Sequence, residues 1–234
     1  MVSENRIWYL RRSRLFERAG DETIASCEHL FSQKKYRART LIFEQGDVGR
    51  IVYLVKTGKI RLARATKDGK ELTIALLGPG DIFGEEVVFS DVVRSSFATC
   101  LEESLLCVVT AADLYGMLNR YPVLALNVAK YLKEQRDDAV AIAEDFAYLR
   151  VPERLERLLE RLSTDYGTAH EEGTLIDVRL THADIASLIG CSRETVSTLM
   201  MQCVREGRIA MRENRILLPP TDGGYPSTVA PESR

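Results

Sequence analysis

Two groups of residues have the types and spacing to do chemistry. Ser192, Arg193, Glu194 and Thr195 follow a glycine-cysteine pair and open an amphipathic stretch that continues past Met200. Arginine can bond guanine O6 and N7 together, and glutamate can accept from cytosine N4. Ser197 and Thr198 share the outward face, while the hydroxyls of Ser192 and Thr195 suit a phosphate, which positions a protein without reading sequence. The second group is Phe83-Gly84-Glu85 with Arg94-Ser95-Ser96. Gly84 would let backbone N–H groups approach an anion closely. Arg94 offers a charged fork, and Glu85 could accept from a sugar hydroxyl. Gly-Glu and Arg-Ser pairs are common, so this second group reads equally as a tight turn with a surface ion pair.

The elements that must position the first group are legible. Thr181 and Asp184 have capping-box spacing, with Asp in place of the usual Glu or Gln. Ile185, Leu188 and Ile189 recur at helical spacing, Gly190 ends that helix, and Ser192 caps a second one. Val196, Leu199, Met200 and Cys203 form the inner face of the second helix. Two short helices joined by a tight turn make a helix-turn-helix, which places residues of the second helix's first turn at base edges. A strand is expected over Thr174–Leu180. A hairpin is expected from Arg208–Met211 and Arg215–Leu218, turning at Arg212-Glu213-Asn214. These flanks make a winged helix and bring Arg208, Arg212 and Arg215 toward phosphates. Glu153, Glu156, Glu160, Glu171 and Glu172 offset much of that charge, so DNA affinity must come from local arrangement.

The chain has 234 residues, enough for two domains, and a net charge of −2 that gives no global pull toward nucleic acid. Arg120, Lys130 and Lys133 interrupt the most apolar stretch, so no membrane span is expected. Arg6, Arg11, Arg12 and Arg14 surround Trp8, Tyr9 and Leu10 without the apolar core of a signal peptide. Cys27, Cys100, Cys107, Cys191 and Cys203 are odd in number and scattered, which fits a reducing cytoplasm better than a disulfide or metal framework.

From Thr40 to Thr110, short β-rich runs alternate with glycines, the pattern of a barrel or double-sheet roll. A metal-dependent enzyme on such a roll would need clustered histidines. The only histidines are His29, His170 and His182, all outside it, so no metal site and no enzyme are expected. Pro122 suits the first turn of a long helix. Tyr121, Val128, Gln135, Ile142 and Leu149 lie seven apart, and Ala125, Leu132, Ala139 and Phe146 fill the complementary register. That is the pattern of a parallel two-stranded dimer seam, with Gln135 as a polar register-setting residue. The alternative partner for such a face is the helix's own roll.

In this order the parts resemble the CRP/FNR superfamily over about Leu15 to Leu218. The most specific match is Ile189-Gly190-Cys191-Ser192-Arg193-Glu194-Thr195-Val196. Gly80-Asp81, Gly84-Glu85 and Arg94-Ser95 match the family's cyclic-nucleotide phosphate cassette. The resemblance implies a homodimeric transcription regulator of double-stranded DNA with a near-palindromic site, often an activator that also contacts RNA polymerase. It also places the adenine side of the effector pocket at Gln135, Ala139 and Val140. The family's Thr-Ser pair becomes Ala139-Val140, which cannot hydrogen-bond an adenine amino group through side chains. Glu86 adds a carboxylate beside the cradle, and Thr198 replaces a base-reading arginine. The iron–sulfur branch needs an N-terminal cysteine cluster, where only Cys27 lies, and the haem branch needs axial ligands that the roll lacks.

The sequence therefore predicts an α+β chain: a β-roll sensor domain over 1–120, a dimerisation helix and hinge over 121–150, a winged helix-turn-helix over 151–218, and a disordered tail over 219–234. The expected function is a cytoplasmic, homodimeric, sequence-specific regulator. Three control modes stay open: cyclic AMP or another nucleotide, a different small ligand in the same pocket, or no effector. The departures favour the last. Redox control at Cys100 or Cys107 and a nucleotide-sensing module that does not bind DNA are the further alternatives.

Overall fold

The computed structural model describes residues 9–89 and 93–220. The chain divides into two compact units, Met1–Ala141 and Ile142–Arg234. The expected tail lies, from residue 221 on, outside the described residues, as do Arg6 and Trp8.

The N-terminal unit holds eight strands: β1 (Ser32–Tyr36), β2 (Leu41–Phe43), β3 (Ile51–Thr57), β4 (Ile60–Ala65), β5 (Glu71–Leu77), β6 (Ile82–Phe83), β7 (Phe97–Cys100) and β8 (Ser104–Thr110). They form two antiparallel four-stranded sheets, ordered β1-β8-β3-β6 and β2-β7-β4-β5. Side chains alternate across a strand, and β3 uses both faces. Tyr53 and Val55 enter a core with Phe43, Ile60, Leu77, Phe83, Ala98 and Leu106. Val52 and Leu54 enter a second core with Leu10, Phe16, Ile24, Leu114 and Leu124. This double burial explains why β3 is apolar nearly throughout.

The second core sits under helices α1 (Asp21–Glu28), α3 (Ala111–Arg120) and the first half of α4 (Pro122–Tyr148), while α2 (Glu86–Phe89) is a single turn. Two details differ from the sequence reading. Strand β1 is polar except for buried Tyr36, so alternation does not reveal it; pairing with β8 holds it. Glu86–Phe89, read as part of a β-rich run, is helical.

Helix α4 is tied to its own unit. Leu124, Val128 and Tyr131 are buried in the second core, and the Tyr131 hydroxyl donates to the Ile82 carbonyl at 2.7 Å. Asn127 donates to the carbonyls of Leu15 and Glu17 at 2.9 and 2.7 Å. Val128 was expected in the dimer seam and is 3% exposed within its own domain. The correction has a simple cause: one helix here carries two apolar stripes, and a heptad count cannot tell which faces inward. Ala125, Leu132 and Ala139 lie exposed.

In the C-terminal unit α5 (Val151–Tyr166), α6 (His182–Ile189) and α7 (Arg193–Arg205) pack with a sheet ordered β11-β12-β10-β9. Its strands are β9 (Gly167–His170), β10 (Gly173–Ile176), β11 (Ala210–Arg212) and β12 (Arg215–Leu218). The strand expected over Thr174–Leu180 ends at Ile176, where Val178 buries itself outside the ladder. Strand β9 went unread because its Gly-Thr-Ala-His sequence carries no apolar alternation. The hairpin turns on two residues, since Arg212 pairs with Arg215 across Glu213 and Asn214. Both have positive φ, 49° and 62°, as a two-residue turn that matches strand twist requires. The result is an α+β chain with an N-terminal roll, a long helix and a C-terminal winged helix-turn-helix.

Candidate nucleic-acid interface and anion cradle

The turn between α6 and α7 is built from local hydrogen bonds. The Thr181 hydroxyl accepts from the Asp184 N–H at 3.1 Å, and the Thr181 N–H donates to the Asp184 carboxylate at 2.8 Å. The Asp variant of the capping box therefore forms. Gly190 takes a left-handed conformation, φ 63° and ψ 51°. The Ser192 hydroxyl accepts from the Thr195 N–H at 3.1 Å and caps α7. Val196, Met200 and Cys203 are buried beneath α7, and Leu199 is half-buried.

On the opposite face Arg193, Glu194, Thr195 and Thr198 are exposed. The Glu194 carboxyl is held below its ordinary range, chiefly by its own backbone N–H and next by Ser192, so it is an ionised acceptor. The hydroxyls of Ser197 and Thr198 donate to the carbonyls four residues back, Arg193 at 3.0 Å and Glu194 at 3.1 Å. Ser197 also meets His182 Nδ1 at 2.8 Å. Ser197, expected on the outward reading face, is half-buried and bridges α7 to the start of α6. Its spacing matched the face; its partner, fifteen residues earlier, was not visible in the sequence.

The wing's arginines are all ion-paired. Arg212, expected to meet phosphate, holds Glu172 through two bonds of 2.8 and 2.9 Å. Arg208 pairs with Glu156 and Glu206, and Arg215 with Asp177 and Glu213. Exposed pairs of this kind are worth about 0–1 kcal/mol. Exchange of Glu172 for a phosphate therefore costs little, and nearby acid lowers the gain.

Sequence reasoning missed Arg154. Its Nε donates to the Ile189 carbonyl at 2.9 Å and its Nη1 to Leu149 at 3.1 Å, so it closes the C-terminal ends of two helices where a cation is favoured. Its guanidinium lies 4.9 Å over the Phe146 ring. Phe146, assigned to the dimer seam, is part-buried and sits where a Cβ on Gly190 would fall, 2.4 Å from that position. The only signal at Arg154 was charge, because the Ile189 carbonyl that ties it to α6 is 35 residues away.

The second group converges as well. Gly84 has φ 75°, and Arg94 reaches it: Nη1 donates to the Gly84 carbonyl at 2.9 Å and to Glu86 at 3.1 Å, while Nη2 donates to the Ile51 carbonyl. The guanidinium lies 4.2 Å over the Phe43 ring, and the Arg94 side chain is 1% exposed. The Arg94 fork, expected to meet an anion, is bonded to Glu86 and to the Gly84 and Ile51 carbonyls. Ser95 is exposed beside it, Gln135 is half-buried, and Ala139 and Val140 are exposed on α4.

Glu85 is part-buried in the same segment, and burial, with neighbouring Glu86 adding to it, pushes its carboxyl from 4.5 up to about 7. Between those values the folded chain binds a proton that the unfolded chain releases. Stability is therefore fully present below about pH 4.5 and falls as pH rises through 7. The displacement corresponds to about 3 kcal/mol as an order of magnitude at 1.36 kcal/mol per pH unit. Glu85→Gln should raise the N-terminal unit's melting temperature at pH 8 and change it little at pH 4.5. Parallel melting curves of wild type and variant across that range measure the difference, and equal gains at both ends would contradict the assignment.

No helix among the described residues is long and apolar enough to cross a membrane, and those residues contain no cluster suited to a metal ion. A family described as a cyclic nucleotide-binding domain matches residues 33–121, and one described as a Crp-like helix-turn-helix domain matches residues 153–222. The cyclic AMP receptor protein of Thermus thermophilus is 31% identical over 202 residues, covering 86% of this chain and 90% of that protein. The CRP-like cAMP-activated global transcriptional regulator of Mycobacterium tuberculosis is 25% identical over 209 residues, covering 89% and 93%. Among solved structures, the c-di-GMP responsive global regulator CLP of Xanthomonas campestris superposes with a TM-score of 0.77 at 23% identity. That match covers 86% of this chain and 100% of the other and bears on the fold. These domains and relatives are those of transcription regulators, not of enzymes. The two domain matches and the Thermus relative, on a chain that joins a nucleotide-binding-type roll to a capped helix with exposed Arg193 and Glu194, place the protein in the CRP/FNR family of DNA-binding transcription regulators.

Proposed function

We propose that the protein is a cytoplasmic homodimer that binds a near-palindromic DNA site and activates transcription by contacting RNA polymerase, without requiring cyclic AMP. The observation that carries the DNA reading is the exposure of Arg193 and Glu194 in the first turn of α7, above a buried inner face. Arg193 reads guanine, Glu194 reads cytosine, and Thr198, whose hydroxyl is already bonded, meets a thymine methyl. Ser192 and Thr195 touch phosphate. Ser197 supports the helix from His182, and Arg212 reaches phosphate by releasing Glu172.

The dimer seam is carried by the exposed register Ala125, Leu132 and Ala139, with Gln135 and Ile142 at its edge. Leu126, Val140 and Tyr148 add further exposed apolar surface on α4, at 70%, 51% and 83% exposure. Effector independence rests on Arg94 being engaged inside the roll and on Ala139-Val140 offering no side-chain hydrogen-bonding group to a base. A second reading, control by a nucleotide at Gly84, Glu85, Arg94 and Ser95, is favoured by the matching nucleotide-binding family. Relatives differ in this respect by their own names: one is cAMP-activated, another responds to c-di-GMP.

Selection of duplexes from a random DNA pool by the purified protein tests the DNA reading. The expected product is a near-palindrome with half-sites about 34–36 Å apart. Enrichment of no symmetric site, with or without nucleotides present, would defeat the reading.

A further inference from the structure

Arg94 occupies a slot shaped for it. A Cβ on Gly49 would lie 2.4 Å from its Nε, and a Cβ on Gly84 would lie 2.6 Å from its Nη1. Phe43 closes the slot from below at 4.2 Å. The residue's backbone is pinned too: its N–H donates to the Asp47 carbonyl at 2.8 Å, and its carbonyl accepts from the Gly46 N–H at 2.8 Å. Among the described residues, Nη1 and Nη2 have acceptors and only Nε lacks one. One of those acceptors, Glu86, is the only charged one, and its carboxylate lies 3.1 Å from Nη1 of the fork.

We propose that Glu86 is a tethered anion that fills the roll's phosphate site, so that this carboxylate, and not loss of the cradle, excludes cyclic nucleotides. The cradle residues Gly84 and Arg94 are present and joined. A phosphodiester carries one negative charge, as does Glu86. To reach Arg94 it must displace a carboxylate that is covalently held at high effective concentration, and it must then sit beside that displaced charge. Both effects vanish when Glu86 is made neutral. Glu86 is thus a specificity-determining residue of the site, one that decides between a self-filled and a ligand-filled roll. The inference deepens the effector-independent reading given above and rests on it.

Calorimetric titration of the full-length protein with cyclic AMP and cyclic GMP tests the proposal, using wild type, Glu86→Gln and Glu86→Ala. The expected result is binding at least about tenfold tighter in a folded Glu86 variant than in wild type for one of the two nucleotides. Wild-type binding as tight as that of the variants would overturn it. So would absence of binding in variants that melt like wild type, since the cradle would then be lost for another reason. Unfolding of both variants would also overturn it, because Glu86 would then be a structural partner of Arg94 and not a plug. DNA affinity measured in the same samples separates the two claims. If wild-type DNA binding requires nucleotide, effector independence fails whatever the Glu86 variants do. If wild type binds DNA without nucleotide and the variants gain no ligand, only the Glu86 inference fails.

Discussion

Arg193→Ala should remove the protein's preference for its operator over unrelated DNA while leaving it folded and dimeric. Arg193 is exposed in the first turn of α7 and contributes nothing to the buried face formed by Val196, Met200 and Cys203. A bidentate arginine–guanine contact is worth about 1–3 kcal/mol of discrimination. In the proposed two-fold dimer that contact is made twice, so the loss doubles to about 2–6 kcal/mol, or roughly 30-fold to more than 10,000-fold. Non-specific binding, which comes from phosphate contacts, should weaken far less. Competition binding with operator and scrambled duplex measures the ratio, and an unchanged ratio would refute the role given to α7.

Gly190→Val should destabilise the C-terminal unit and spare the N-terminal one. Two independent penalties act at this position. The left-handed backbone, φ 63°, costs an L-residue roughly 1–2 kcal/mol. The new side chain also drives into the Phe146 ring, 2.4 Å from the Cβ position, and overpacking of this kind costs about 1–3 kcal/mol. Together they reach about 2–5 kcal/mol, a large share of a small domain's stability. Denaturant unfolding followed by signals from each unit should show an early transition for residues 142–220 alone. Coincident transitions at the wild-type midpoint would show that Gly190 tolerates a side chain and that the turn is not built as described.

What the sequence disclosed depended on the range of the interactions. The helix-turn-helix was legible because Thr181, Asp184, Gly190 and Ser192 cap and break helices through neighbours within four residues. The two-residue hairpin turn at Glu213-Asn214 was legible to within one residue for the same reason. Long-range partners were not legible. Arg94 was recognisable as a fork suited to an anion, but its slot wall at Gly49, far away in sequence, and its bond to the Ile51 carbonyl were not. Ser197 matched the outward face by spacing, but His182 claims its hydroxyl. Val128 fitted a seam register equally well whether it met a partner chain or its own roll, and only the packing of Leu124, Val128 and Tyr131 against Leu10 and Phe16 decides between them. Strand β1 lacked apolar alternation because Tyr36 alone among its residues is buried.

The central claim is that α7 reads DNA while the roll's anion site is filled from within. The most direct test is operator affinity of the wild-type protein measured with and without saturating cyclic AMP, on a duplex obtained by selection. The account predicts specific binding in both cases with affinities that differ by less than about tenfold, or about 1.4 kcal/mol of coupling. Specific binding that appears only with cyclic AMP, or that tightens by tenfold or more on adding it, would contradict the account.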